Sequence, residues 1–123
     1  MLLRSTDAKT FDLHDARFHS YVAPRTGSTR LCAWRTELAP GAPAQPHTVS
    51  EEEVFLVLAG RLAMTVDEES YDAGPGDVVH VPAGATIVVA NAGDTPLTLW
   101  VTTSVGIRAT LPDGSQITPP WSQ

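Results

Sequence analysis

One cysteine, Cys32, stands alone in 123 residues, so no internal disulfide can form and no disulfide framework holds the fold. Positive charge is also scarce: eight Lys and Arg face fourteen Asp and Glu, for a net charge of −6, and no basic cluster breaks that balance. Binding to nucleic acid relies on Lys and Arg against phosphates, so nucleic acid is not an expected partner. No apolar run approaches the ~20 residues that a membrane-spanning helix needs, so no membrane partner is expected either. The opening Met1–Asp7 shows neither an extended apolar core nor a cleavage site. With no secretory signal and one thiol, the expected location is cytoplasmic. Long helices are excluded by ten prolines and nine glycines spread along the chain. No internal repeat or low-complexity linker is present.

What remains is an ordinary globular composition, 42% hydrophobic and 18% charged, long enough for a sizeable core. One domain over 1–123 is expected, with a core over about 29–103 and both flanking segments, 1–28 and 104–123, packed on it. Short apolar runs alternate with turn signals at ~8–12-residue intervals, the rhythm of an all-β sandwich or barrel. Strands are predicted at Phe11–Leu13, Phe18–Val22, Thr29–Leu38, Arg61–Val66, Val78–Val81, Ile87–Ala90 and Leu97–Thr103. Asp67–Ser70 reads as an acidic turn, and Ile107–Leu111 with Ser115–Thr118 as a closing hairpin about Pro112-Asp113-Gly114. His14 and His19, among charged neighbours, read as surface residues. Cys32 reads as a buried, inert thiol within its strand.

The chemistry concentrates in Gly41–Gly60. Val54–Leu58 is a β-branched and aromatic run that Gly60 stops, which predicts a strand buried on both faces. His47, Val49, Glu51, Glu53, Phe55 and Val57 share parity, so a regular strand points them to one side. That places His47 and Glu53 together on an inner face. Trp34, Met64, Trp100 and Trp121 are candidate pocket walls, although each taken singly reads first as plain packing.

Gly41, His47, Glu53 and Gly60 form one glycine-framed block, and Gly76, Pro82, Gly84 and Asn91 form a second. Their spacing resembles the two motifs of the cupin superfamily, G-x5-H-x-H-x3,4-E-x6-G and G-x5-P-x-G-x2-H-x3-N. The resemblance implies an antiparallel jelly-roll (double-stranded β-helix) barrel with an inner pocket open at one end. The residues expected to line that pocket are Trp34, Val49, Phe55, Met64, Ile87 and Trp100. Metal-binding members hold a divalent ion with three His and one Glu from these motifs. Here Val49 and Ile87 stand at two of the His positions, leaving His47 and Glu53. Two donors fall short of the three protein ligands usual in catalytic sites, so no metal cofactor is expected. If one is held, Fe, Mn, Ni or Zn suits the donors, with His80 or Glu51 as a substitute ligand.

An isolated carboxylate in such a pocket must pair, find donors or take up a proton, and His47 is the nearest partner by sequence. Three readings follow: a pocket for a small, mainly apolar molecule, a metal-free acid–base enzyme using His47 and Glu53, or an inert remnant. Enzymes of isomerase, cyclase or dioxygenase type are the alternatives that the resemblance brings. Apolar residues on both faces of Val54–Leu58 further predict a homodimer.

Overall fold

The computed structural model describes residues 1–123. The turn signals separate twelve strands: β1 (Lys9–Leu13), β2 (Ala16–Val22), β3 (Leu31–Leu38), β4 (His47–Val49), β5 (Glu53–Ala59), β6 (Leu62–Val66), β7 (Glu69–Ala73), β8 (Val78–Val81), β9 (Thr86–Asn91), β10 (Leu97–Ser104), β11 (Ala109–Thr110) and β12 (Gln116–Ile117). They pair antiparallel into two six-stranded sheets. The first has the order β1-β2-β3-β10-β5-β8, and the second β12-β11-β4-β9-β6-β7. From β3 to β6 the chain changes sheet at every step, which is jelly-roll wiring. No strand ladder joins the two sheets, so the expected barrel is an open sandwich.

The core lies where the inner faces meet. Strand β10 alternates strictly, with Leu97, Leu99, Val101 and Thr103 buried and Thr98, Trp100, Thr102 and Ser104 partly exposed. Its neighbour β5 buries Glu53, Phe55 and Val57, and β6 answers from the second sheet with Leu62, Met64 and Val66. All of these buried side chains except Thr103 and Glu53 belong to one cluster of seventeen buried hydrophobic residues. Each apolar side chain taken fully out of water contributes about 1.5–3 kcal/mol.

Several expectations need correction. The run His47–Val57 is not one strand. It bends over Ser50–Glu52 and divides between the sheets, β4 in the second and β5 in the first. Nor is β5 buried on both faces, because Val54 and Leu58 remain 38% and 45% exposed. Glu69–Ala73, which holds part of the expected acidic turn, is an edge strand paired with β6. Its polar, exposed composition hid it. The sheets also extend beyond 29–103, since β1 and β2 widen the first and β11 and β12 the second.

The tail is anchored rather than laid on. Ser20 Oγ donates to the Trp121 carbonyl at 2.7 Å, and Cys32 Sγ donates to that of Ser122 at 3.3 Å. The Trp121 ring stacks on Phe18, centroids 3.6 Å apart. Cys32 is fully buried, and burial raises its thiol pKa. No helix is long and apolar enough to cross a membrane.

Candidate functional site

Between the sheets lies a cavity of about 370 Å³, with sixteen of its twenty-four lining residues hydrophobic. Aromatic wall is supplied by Phe18 on β2, Trp34 on β3, Phe55 on β5 and Trp121 from the tail. Trp121 meets Trp34 edge-on, with ring centroids 6.4 Å apart and planes at 67°. The β1–β2 turn at His14 and Asp15, the β3–β4 loop at Pro43 and Gln45, and Ile117 and Pro119 of the tail complete the lining. The lining contains no Lys or Arg.

Glu53 reaches this space from the start of β5. It is 5% exposed, and no hydrogen bond or ion pair satisfies its carboxyl group. Burial alone pushes its pKa up to about 8, because no nearby donor or cation offsets the loss of water. At neutral pH the group is therefore mostly a neutral acid.

His47 enters from the opposite sheet, half-buried on β4. Its Nδ1 lies 3.2 Å from the Gln45 carbonyl oxygen. A carbonyl oxygen only accepts, so Nδ1 carries the hydrogen and the neutral ring presents Nε2 as an acceptor. The expected His47–Glu53 hydrogen bond is absent. Both line the cavity, but the loop carbonyl has taken the imidazole donor.

The donor set does not fit a metal. Ile87 is the cross-strand partner of His47 and is fully buried, while Val49 is 2% exposed on the cavity wall. Neither supplies a lone pair. His80 does not replace them: it sits on the exposed face of β8 opposite Val54, hydrogen-bonded to Glu52. Glu51 lies in the bend between β4 and β5, off the cavity wall. No three His, Cys, Asp or Glu side chains come together where they could hold an ion.

The remaining sequence candidates divide. Trp34, Val49 and Phe55 line the cavity, as does Trp121. Met64 and Ile87 are packed into the core away from it, and Trp100 is on the other face of β10 beside Tyr21, 5.4 Å between centroids. His14 is exposed at the cavity rim, but His19 is largely covered, between Thr10 and Glu37. Phe18, Thr36 and Leu38 are wall residues that the sequence reading did not single out. Alternation within β2 and β3 was available as a signal, since Phe18 pairs across the ladder with Thr36.

The glycine-framed blocks prove to be a scaffold around the site. The Val49 backbone bonds both ways with the second block, its N–H to the Ala85 carbonyl at 3.0 Å and its carbonyl from the Gly84 N–H at 2.8 Å. Asn91 Nδ2 donates to the carbonyls of Leu38 and Thr95 at 3.1 and 2.8 Å, and its Oδ1 accepts from the Gly93 N–H at 2.9 Å.

Known proteins place this arrangement. Vicilin C72 of Gossypium hirsutum is 41% identical over 59 residues, 45% of this chain but 10% of the vicilin. An uncharacterized protein of Methanocaldococcus jannaschii is 33% identical over 48 residues, 39% of this chain and 38% of that protein. The chain thus spans well under half the length of these relatives. Among solved structures, the polyketide cyclase RemF of Streptomyces resistomycificus matches with a TM-score of 0.74 at 17% identity, covering 85% of this chain and 78% of that one, a likeness of fold. The cupin domain model matches residues 34–103, more than half of the chain and the whole stretch that carries both glycine-framed blocks, His47 and Glu53. The chain belongs to the cupin family.

Proposed function

We propose that this cupin binds a small, mainly apolar molecule in the cavity between its sheets, without a tightly bound metal. The observation that carries this reading is Glu53, an unpartnered carboxyl in a cavity with mostly hydrophobic walls. Its volume falls in the ~300–1,000 Å³ range of small-molecule sites, where apolar walls supply affinity and a few polar groups set orientation. His47 Nε2 and Glu53 are those polar groups here. A cytoplasmic setting suits the free thiol of Cys32.

Thermal shift and ligand-observed NMR with a panel of small apolar molecules test this. The expected result is stabilisation by molecules of one shape class, abolished by Ala109→Phe, which puts a ring into the cavity from β11. No binder at millimolar concentration would contradict the proposal, as would binding unaffected by the filled cavity.

A second reading is a metal-free enzyme. One observation favours it: a carboxyl with a pKa of about 8 holds a proton available at neutral pH, as a general acid must. A cyclase shares the fold, but that likeness is too distant to carry an activity. Turnover lost in Glu53→Gln with substrate binding retained would put this reading first.

A further inference from the structure

Apart from the Thr36 hydroxyl, and Gln45 and His14 at the rim, which can also donate, the polar side chains of the cavity are acceptors once Glu53 gives up its proton. His47 spends its Nδ1 hydrogen on the Gln45 carbonyl, so the neutral ring offers the cavity only the Nε2 lone pair. Ionised Glu53 offers only acceptor oxygens, and no side chain of the chain donates to them. At the rim, Asp15 adds a third acceptor. No Lys or Arg lines the space, so a ligand carboxylate, phosphate or sulfate would meet no cationic side chain there and would face Glu53. The walls are rich in rings, with Phe18, Trp34, Phe55 and Trp121 presenting aromatic surface that attracts cations. The chain as a whole carries a net charge of −6, which draws cations towards the rim.

Resting on the reading of the cavity as a small-molecule site, we infer that its ligand is a hydrophobic amine whose ammonium group pairs with the Glu53 carboxylate. An ammonium has three N–H donors and no acceptor. It complements two acceptors in one cavity, whereas a neutral alcohol brings a single donor. On binding, the cation replaces the acid proton of Glu53, which leaves to solvent, so the buried charge is compensated. The apolar body of the ligand then lies against the aromatic walls.

The test is isothermal titration calorimetry at pH 7 with three probes that share one ring system: 2-naphthylmethylamine, 2-naphthylmethanol and 2-naphthoate. The expected order is amine tightest, by about tenfold over the alcohol, and carboxylate weakest, as a charge-assisted hydrogen bond in a buried site implies. Glu53→Gln keeps the shape and removes the charge. It should weaken the amine by about tenfold and change the alcohol by less than about threefold, so retained alcohol binding reports an intact cavity. Alcohol binding as tightly as amine in the unmodified protein would overturn the inference while leaving the small-molecule site standing. Tightest binding of the carboxylate would do the same. If none of the three binds, both the inference and the site on which it rests fall.

Discussion

His47 and Glu53 line one cavity from opposite sheets, yet the His47 imidazole hydrogen-bonds the Gln45 carbonyl, 3.2 Å away, and not the carboxyl of Glu53. Pairing would have pulled the Glu53 pKa down through the imidazolium charge. Without it, burial is the sole cause of the shift to about 8. The cavity therefore holds a poised, uncommitted acid beside an acceptor nitrogen, and both groups are free to turn to a ligand.

That acid leaves a signature in stability. A carboxyl raised from 4.5 unfolded to about 8 folded contributes its full stability below pH 4.5. Between these values the unfolded chain gives up the proton and the folded chain keeps it, so stability falls by about 1.4 kcal/mol per pH unit. Above about pH 8 the loss is complete. Urea unfolding from pH 5 to 8.5 should show this slope in the unmodified protein and in Glu68→Gln, whose exposed side chain has no ion-pair partner, but not in Glu53→Gln. Parallel curves for all three would refute it.

Gly60 and Gly76 are framework residues with unequal burdens. Both have positive φ, +85° and +90°. A Cβ on Gly76 meets nothing within 4 Å, so Gly76→Ala should cost about 1–2 kcal/mol, the left-handed backbone penalty alone. A Cβ on Gly60 would lie 2.6 Å from the Pro96 carbonyl oxygen and 2.9 Å from Leu97 Cα, in the backbone entering β10. Gly60→Ala should therefore lose clearly more in the same denaturation experiment. Equal losses would mean that the close approach has no weight.

Much of this scaffold was legible because it is local. Turn residues and alternating strands set most of β3, β6, β8, β9 and β10, and the glycine-framed blocks located His47 and Glu53. What stayed hidden depends on partners remote in sequence. The bend at Ser50–Glu52 carries no proline or glycine, so parity extended through it wrongly, although His47 and Glu53 still face the same space. Trp34 and Trp100 sit in similar strands, but only the register of β3 on β10 puts one inside and the other outside. Met64 has the inward parity of a wall residue, yet packs beyond the cavity in the core. Trp121 becomes wall because the tail is received by residues far away in sequence, Ser20 bonding Trp121 across 101 positions and Cys32 bonding Ser122 across 90.

The tail should guard Cys32. The thiol is completely buried and bonded to the Ser122 carbonyl, so it should be unreactive towards a disulfide reagent in the native protein. Removal of Pro119–Gln123 should leave a folded β protein whose thiol reacts within minutes. Continued protection after truncation would show that other segments cover it.

The outer face of the first sheet carries exposed apolar side chains: Val54 at 38% and Leu58 at 45% on β5, Val78 at 57% on the adjacent β8, and, across β10, Leu31 at 57% on β3. We propose that a second copy of the chain covers it, since contiguous apolar surface marks association sites. Sedimentation velocity at tens of micromolar should give a dimer, and Leu58→Glu with Val78→Lys a folded monomer. A monomeric unmodified protein would reject this.

Native mass spectrometry of the untagged protein, titrated with the naphthyl probes, addresses the cavity most directly. The account predicts a chain free of stoichiometric metal that gains one probe molecule, and an Ala109→Phe variant that gains none. A chain already carrying one metal ion, lost in His47→Ala, would contradict it, and so would the failure of every probe to add.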